Sequence, residues 1–265
     1  MNSLKDKVVW ITGASSGIGE ALVYAFANEG AKIIISARRQ EELERVKKTT
    51  ALPNDCILIL LFDLENTQEL DIHALAIIKQ FGRIDILINN GGISQRSFAK
   101  DTPLFIDRKI MEINFFGTVA VTKSVLPYML QQNKGLIVVI SSISGKFGFF
   151  LRSSYSASKH ALHGFFESLR MEVFKNNIAV LLICPGKINT NISINAITEK
   201  GLNHNKKDKS HSQGLDTAAC AKQIIEAIKK GKQEVFIGGK ELRAVWIKRF
   251  FPNIFLKLIR KQKPE

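Results

Sequence analysis

The 265-residue sequence has little cysteine, little tryptophan and no long apolar run. Its three cysteines, Cys56, Cys184 and Cys220, are far apart and form no C-x-x-C pair. This number and spacing argue against a disulfide framework or a zinc site, so we expect no metal and a reducing compartment. No apolar stretch reaches the about 20 residues that a membrane-spanning helix needs. Residues 1–7 do not resemble a signal peptide, so we expect a cytoplasmic protein.

Acidic residues are also scarce. The chain has 24 Asp and Glu and 38 Lys and Arg, which gives a net charge of +14. No segment resembles a nucleic-acid-binding motif, so we interpret the charge as a solvated surface and expect no nucleic-acid partner. Residues 240–265 hold eight basic and two acidic residues among aromatic and aliphatic ones, split by Pro252. This pattern predicts two short amphipathic helices that pack over the substrate entrance or against another subunit. Peripheral membrane contact is the alternative.

Short apolar runs alternate with longer amphipathic segments along the whole chain. Near-continuous apolar strands separated by helices indicate a parallel sheet covered on both faces. With no linker or repeat, we expect one α/β domain over residues 1–239 and an extension over 240–265. The predicted fold is a doubly wound Rossmann fold with a mostly parallel, seven-stranded sheet and helices on both faces. The predicted strands are Val8–Ile11, Ile33–Ala37, Ile57–Phe62, Ile86–Asn89, Leu136–Ser141, Ile178–Cys184 and Val235–Ile237.

A glycine-rich turn follows the first predicted strand and leads into a helix-like stretch that starts near Glu20. The turn reads T-G-A-S-S-G-I-G from Thr12 to Gly19. Glycines there let backbone N–H groups approach a pyrophosphate, and the helix N-terminus adds partial positive charge. An ordinary glycine-rich turn is the alternative, but the flanking strand and helix favour a nucleotide. The predicted cofactor-binding residues here are Gly13, Ser15, Ser16, Gly17, Ile18 and Gly19.

Tyr155 and Lys159 lie four residues apart in Y-S-A-S-K, with Ser141 and Ser142 just upstream. If residues 154–174 are helical, positions i and i+4 share one face and place the ammonium beside the phenol. A nearby positive charge stabilises the phenolate, so we expect a lowered Tyr155 pKa. Such a tyrosine can pass a proton to or from a substrate oxygen. The pair alone arises often by chance, and the other motifs give it weight.

Together these motifs resemble those of the short-chain dehydrogenase/reductase family, whose glycine turn has the same T-G-x-x-x-G-x-G spacing. The resemblance spans residues 5 to 239. One departure is Gly91, which stands where the family usually has alanine. Further matches, in the family's order, are Asn89-Asn90-Gly91-Gly92, Asn114 in I-N-F-F-G, Ser142 thirteen residues before Tyr155, and the element from Pro185 to Thr190.

The resemblance implies hydride transfer between a nicotinamide and a carbonyl or alcohol carbon. It assigns Ser142 to hydrogen-bond the substrate oxygen and Tyr155 to donate the proton. It gives Lys159 the roles of lowering the Tyr155 pKa and binding the nicotinamide ribose, and gives Asn114 a bound water that links Lys159 to solvent. Ser141 is the rival to Ser142, and only the spacing to the tyrosine separates them. The other implied cofactor-binding residues are Asn90, Gly91, Pro185, Gly186, Ile188 and Thr190.

The end of the second strand indicates which nicotinamide cofactor is used. NAD-preferring relatives usually have an aspartate eighteen residues after the last glycine, and here that residue is Ala37. Arg38 follows, and a guanidinium can hold a 2′-phosphate bidentately. We therefore expect NADP(H), with Arg39 in support and Asp63 at the adenine. Two solvated arginines at the start of a helix are the alternative.

Specificity is expected to come from the polar segment 191–215, a substrate lid in relatives, and from the C-terminal extension. The apolar residues at 147 and 149–151 would line a pocket for a hydrophobic carbonyl compound, or else form core or subunit contacts. By analogy with relatives, which pair through the helices that carry Asn114 and Tyr155, we expect a homodimer or homotetramer. A nucleotide-binding redox sensor without turnover is the alternative function. A nucleotide-sugar epimerase fits less well, because its glycine spacing differs.

Overall fold

A computed structural model of the chain describes residues 3–208 and 212–262, which form one seven-stranded sheet. All neighbouring strands run parallel, in the order β3-β2-β1-β4-β5-β6-β7. The predicted doubly wound fold is confirmed, and the sheet is entirely parallel. The strands are β1 Val8–Thr12, β2 Lys32–Ala37, β3 Ile57–Leu61, β4 Ile86–Asn89, β5 Gly135–Ile140, β6 Ile178–Pro185 and β7 Glu234–Ile237.

Helices cover both faces of this sheet, and a π-helical turn at Glu112–Phe116 joins α4 to α5. The helices are α1 Gly17–Asn28, α2 Gln40–Thr50, α3 Leu70–Phe81, α4 Leu104–Met111, α5 Gly117–Gln131, α6 Ser153–Val173, α7 Thr217–Lys229, α8 Arg243–Phe250 and α9 Pro252–Ile259.

Side chains of each strand alternate between two apolar cores, because successive residues of a strand point to opposite faces. Val9 and Ile11 of β1 pack in the core beneath α1, α2 and α7, whereas Val8 and Trp10 pack in the core beneath α3, α5 and α6. The indole of Trp10 is fully buried and its Nε1 donates to Ser36 Oγ at 2.8 Å, so its polar atom has a partner. Burial on both faces explains why the strands are apolar throughout.

The strand order reverses between β1 and β4, which connect outward to opposite halves of the sheet. In such sheets a crevice opens at the carboxyl ends of the strands at this reversal. The turn after β1 and the loop after β4 meet there, and both contain motifs found in the sequence. The topology therefore brings the predicted cofactor-binding residues to one edge of the sheet.

The extension after β7 forms the two short helices predicted from its sequence, α8 and α9, divided at Pro252. It packs against the domain through Val245 and Phe255, which are buried with Phe147. The Phe147 and Phe255 rings meet edge to face with centroids 5.2 Å apart. No helix within the described ranges is both long and apolar enough to cross a membrane.

Candidate active site

The turn after β1 has a backbone conformation that favours glycine. Gly13 and Gly17 have φ angles of 65° and 62°, in the left-handed region. A Cβ on Gly19 would lie 2.2 Å from the Gly13 oxygen, so any side chain there would force the turn open. Ser16, the N-cap of α1, makes no side-chain capping hydrogen bond. The N–H groups of the first helical turn are thus left for a ligand, and this cradle fits a pyrophosphate.

The loop after β4 holds this turn in place. The Asn90 side-chain nitrogen donates to the carbonyl oxygens of Thr12 and Gly13, each at 3.1 Å. Thr12 Oγ1 in turn accepts from the backbone N–H groups of Asn90 and Gly91 at 3.0 and 3.1 Å. The Asn90 amide therefore braces the two loops against each other, at the floor of the cleft between β1 and β4.

Gly91, the departure from the family pattern, is explained by a neighbour. A Cβ at position 91 would lie 2.5 Å from Leu64 Cδ1, so the Leu64 side chain occupies the space of the family's alanine methyl. Leu64 also lines the large cavity of this site.

One cavity of about 1170 Å³ unites the motifs. Its lining runs from the glycine turn, past the tyrosine helix, to the C-terminal extension. Asn114 and Gly19 are predicted site residues that do not line it. The predicted residues that do are Gly13, Ser15, Ser16, Gly17, Ile18, Arg38, Arg39, Asp63, Asn90, Gly91, Ser142, Tyr155, Lys159, Pro185, Gly186, Ile188 and Thr190.

Tyr155 and Lys159 share one face of α6, as their spacing predicts, and both are buried. Lys159 Nζ lies 5.7 Å from the centroid of the Tyr155 ring and donates to the Ile140 carbonyl oxygen at 2.9 Å. Burial lowers the pKa of Lys159 to about 8. The ammonium is held over the ring face, between the tyrosine and the end of β5.

The Tyr155 pKa differs from the expectation. Burial raises it, while a hydrogen bond with Ser142 and the charges of Arg152 and Arg96 act to lower it. The expected net lowering by Lys159 is therefore not found, because the tyrosine is buried and the lysine lies over its ring. Loss of solvation outweighs the nearby positive charge.

The two neighbouring serines have different surroundings. Ser141 Oγ donates to the Lys159 carbonyl oxygen at 3.3 Å and lies 3.1 Å from His163 Nε2, so it faces the core. Ser142 Oγ accepts from the Ser144 N–H at 3.1 Å and interacts with Tyr155. Of the two serines, Ser142 is thus the one whose hydroxyl lies beside Tyr155 in the cavity.

His163 of α6 is buried next to Cys184 and Glu234. Potential ligand atoms of these three residues lie within 4.8 Å of one another. The Lys146 ammonium, however, already pairs with Glu234 at 2.6 Å. Burial and Lys146 lower the His163 pKa to about 4, and burial raises the Cys184 pKa to about 12. The one carboxylate of the group is thus already paired with a lysine, and we assign no metal to these three residues.

Asn114 lies in the π-helical turn between α4 and α5 and is fully buried. Its side-chain nitrogen donates to the Ile93 carbonyl oxygen at 2.9 Å and to Ser158 Oγ at 3.0 Å. Its Oδ1 accepts from the Ile93 N–H at 2.8 Å. Both amide hydrogens are already donated, so any further hydrogen bond of this side chain would be one that Oδ1 accepts. Single π turns inside helices are frequent at functional sites.

The two arginines after β2 lie at the other end of the cavity. Arg38 is largely exposed and pairs with Asp63 at 3.5 Å, while Arg39 Nη2 donates to Ser15 Oγ at 3.1 Å. The Arg39 guanidinium thus lies next to the glycine turn and the Arg38 guanidinium next to Asp63. The adenosine half of a dinucleotide would be held at this end of the cavity.

Sequence reasoning missed a buried cluster beside Tyr155. Gln95 Oε1 accepts from the Ser154 N–H at 2.9 Å and so caps the helix that carries the tyrosine. Arg96 and Arg152 both pair with Asp208. These residues come from three separate segments, and no spacing pattern joins them.

Sequence reasoning also missed Glu241, at the start of the extension. Its carboxylate accepts from the N–H groups of Lys187 and Gly239 at 2.8 and 3.0 Å. A Cβ on Gly186 or Gly238 would lie 2.3 or 2.5 Å from Glu241 Oε1, so both glycines permit the close approach. Burial opposes ionisation, but the backbone N–H donors hold the Glu241 pKa below its usual value. Glu241 thus ties the loop after β6 to the extension.

Replacing Glu241 by alanine is expected to raise the KM for the nicotinamide cofactor about tenfold, because the Lys187 N–H of the loop at 185–190 and the Gly239 N–H after β7 lose their shared acceptor. Glu241→Gln keeps an acceptor and should recover most of the affinity. Glu172→Ala, on an exposed position of α6, is the matched control. Initial rates at varied cofactor measure the effect. An unchanged KM in Glu241→Ala would show that the loop holds its shape without the carboxylate.

Comparison with known proteins supplies the family. The family model described as short chain dehydrogenase matches residues 7–201. The chain is 42% identical over 265 residues to a dehydrogenase/reductase SDR family protein 7-like from Anopheles gambiae, covering 98% of this chain and 84% of that protein. It is 40% identical to dehydrogenase/reductase SDR family member 7B from Mus musculus, covering 97% and 81%.

A solved structure confirms the fold. A short-chain dehydrogenase/reductase from Burkholderia phymatum, in complex with NAD, superposes with a TM-score of 0.85 at 23% identity, covering all of this chain and 98% of that one. The protein belongs to the short-chain dehydrogenase/reductase family, as its motifs predicted. It is an oxidoreductase of that family, for which a nicotinamide cofactor is typical.

Proposed function

We propose that the protein is an NADP(H)-dependent carbonyl reductase that acts on an apolar ketone or aldehyde. One observation carries the proposal: Ser142, Tyr155 and Lys159 line the same cavity as the glycine turn. A dinucleotide bound along that turn would extend toward the tyrosine, because the cavity is continuous between the two ends. Similarity to dehydrogenase/reductase proteins over nearly the whole chain supports the same class of reaction.

In the proposed reaction, bound NADPH supplies a hydride to the carbonyl carbon. Ser142 donates a hydrogen bond to the carbonyl oxygen and orients it toward the phenol. Tyr155 gives that oxygen its proton, and its raised pKa keeps the phenol protonated and ready to donate. Lys159, with Asn114 behind it, would return a proton to Tyr155, since burial brings its pKa to about 8. Ile188 and Thr190 would hold the carboxamide.

The preference for NADP(H) rests on the end of β2, where Ala37 offers no carboxylate and Arg38 and Arg39 line the cavity. Arg38→Ala is expected to raise the KM for NADPH about tenfold or more and to leave the KM for NADH nearly unchanged, because only NADPH carries the 2′-phosphate. Lys48→Ala removes a charge from an exposed position of the following helix and is the control. An unaltered ratio of the two KM values in Arg38→Ala would refute the role of Arg38.

The proposed apolar substrate is supported by the wall opposite the glycine turn. Phe147, Ile247 and Phe255 line the cavity there, and two of them come from the extension. Ile197, in the segment 191–208, also lines this cavity. Residues 209–211 of the predicted lid fall outside the described residues. NADPH oxidation, followed by its absorbance against a panel of apolar ketones and aldehydes, tests the function. No turnover on a broad panel, despite cofactor binding, would favour the sensor alternative.

We also propose that the protein is cytoplasmic and makes a peripheral membrane contact through the extension. Trp246, Phe250, Phe251 and Ile254 are each more than half exposed there, among basic residues. That combination suits the surface of an anionic bilayer. Sedimentation with anionic vesicles, with a Phe250→Ser, Phe251→Ser double variant as comparison, tests this.

A homo-oligomer is proposed through the helices next to the site. Leu104 and Phe105 of α4, Phe116 of the π turn and Phe174 after α6 are each at least half exposed. Large apolar side chains exposed on neighbouring elements in this way would favour association. The mass in solution, measured by light scattering, distinguishes a dimer or tetramer from a monomer.

A further inference from the structure

Two buried arginines form part of the cavity wall beside Tyr155. Arg96 follows β4 and Arg152 precedes α6, and their side chains are 1% and 9% exposed. Both arginines line the cavity, and the positive charges of both act to lower the Tyr155 pKa. Across residues 3–208 and 212–262, Asp208 is the one acidic residue paired with them, at 2.5 Å from Arg96 Nη2 and 2.9 Å from Arg152 Nη2.

Two guanidiniums and one carboxylate leave a surplus positive charge in a buried place. Burying a charge without an opposite charge is costly, so a cluster that served only to fasten Asp208 would need a single arginine. Burial and the neighbouring Arg96 lower the Arg152 pKa to about 10, despite Asp208. The cluster would therefore be stabilised by a second anion.

Arg152 is the arginine with donors to spare. Arg96 donates to Asp208 through Nε and Nη2, and its Nη1 donates to Ser94 Oγ and the Gln95 carbonyl oxygen. With the residues that the structure describes, Arg152 makes two hydrogen bonds, to the Phe150 carbonyl oxygen at 3.0 Å and to Asp208. A guanidinium has five N–H donors, so several remain on Arg152, the more exposed of the two.

We infer that Arg152, supported by Arg96, binds an anionic group of the substrate. A guanidinium matches the geometry of a carboxylate or a phosphate monoester, and either group fits the surplus charge. The substrate class would then be a ketone or aldehyde that carries an anionic group at one end and an apolar chain at the other. The chain would lie along the Phe147 and Phe255 side of the cavity. This inference rests on the proposed reductase function and adds substrate polarity to it.

Matched substrates test the inference. A medium-chain ketone that ends in a carboxylate, its methyl ester, and the matched phosphate monoester differ only in charge and headgroup. We expect kcat/KM of the wild type to favour the carboxylate or the phosphate over the ester about tenfold or more. The carboxylate and phosphate arms show which anion the site prefers. Equal values for charged and neutral substrates would overturn the inference while leaving the reductase function intact.

Variants locate the preference. Arg152→Gln should bring the ratio of charged to neutral substrate close to one, and Arg152→Lys should keep part of it. Arg243→Gln removes an exposed charge from the rim of the same cavity and should keep the full ratio. If Arg152→Gln does not fold, Asp208→Asn serves instead, because it raises the surplus charge and should increase the ratio. A ratio unchanged in whichever of the two variants folds would refute the assignment.

A binding measurement keeps the inference testable without turnover. With NADPH present, the saturated carboxylate that lacks the carbonyl should raise the melting temperature of the wild type more than its methyl ester does. If no carbonyl compound is reduced, the reductase proposal fails, and this shift alone decides whether the anion subsite exists. An equal or smaller shift for the carboxylate would then refute it.

Discussion

Tyr155→Phe is expected to lower kcat for carbonyl reduction about 10³-fold, because the variant has no proton to give the substrate oxygen. Tyr155 is buried, and its raised pKa means that wild-type Tyr155 is protonated across the neutral range. Removing one oxygen leaves the ring, its packing and the position of Lys159 in place. The loss should therefore fall on kcat, measured from NADPH oxidation at saturating substrate.

Cofactor binding supplies the internal check on that result. The melting-temperature rise that NADPH gives should be nearly the same in Tyr155→Phe and in the wild type. Tyr128→Phe, a half-buried tyrosine of α5 away from the cavity, should change neither quantity. Equal loss of turnover and of cofactor binding would mean that the substitution disturbs the site as a whole. Full turnover in the variant would remove Tyr155 from the mechanism.

The sheet could be predicted from the sequence because its strands are buried on both faces. Ile86–Asn89 matches the observed strand, and each of the other predicted strands differs from the observed one by a single residue at one end or, for β5, at both ends. A continuous apolar run between polar segments has few other structures available to it. The proximity of Tyr155 and Lys159 could be predicted as well, because residues four apart lie on the same face of a helix.

The rest of the site depends on distances that no local pattern encodes. Asp208 lies 112 residues from Arg96 and 56 from Arg152, and Glu241 lies 54 residues from Lys187. Each pairing is a consequence of the assembled fold. The direction of the Tyr155 pKa was missed for a related reason. Spacing shows that a lysine is near, whereas the loss of solvation that outweighs it depends on everything packed around the ring.

Lys159 offers the second large effect, in which stability and activity change in opposite directions. Burial lowers the Lys159 pKa from 10.5 to about 8, a difference worth about 3 kcal/mol against the charged folded state. Lys159→Met removes that penalty, while the Ile140 carbonyl oxygen loses its donor at a cost of about 1 kcal/mol. We expect the variant to be about 2 kcal/mol more stable at pH 7 and to lose turnover by about 10²-fold or more.

The pH dependence of stability identifies the cause. Between about pH 8 and 10.5 the folded wild type has released the Lys159 proton while the unfolded chain still binds it, so wild-type stability rises with pH through this window. The variant lacks the group, and its advantage should therefore shrink from pH 7 to pH 10. Urea unfolding at both pH values, without cofactor, measures this. A variant less stable than the wild type at pH 7 would mean that the buried ammonium is fully compensated. Lys159 would then serve in the proposed proton transfer without lowering the stability of the folded protein.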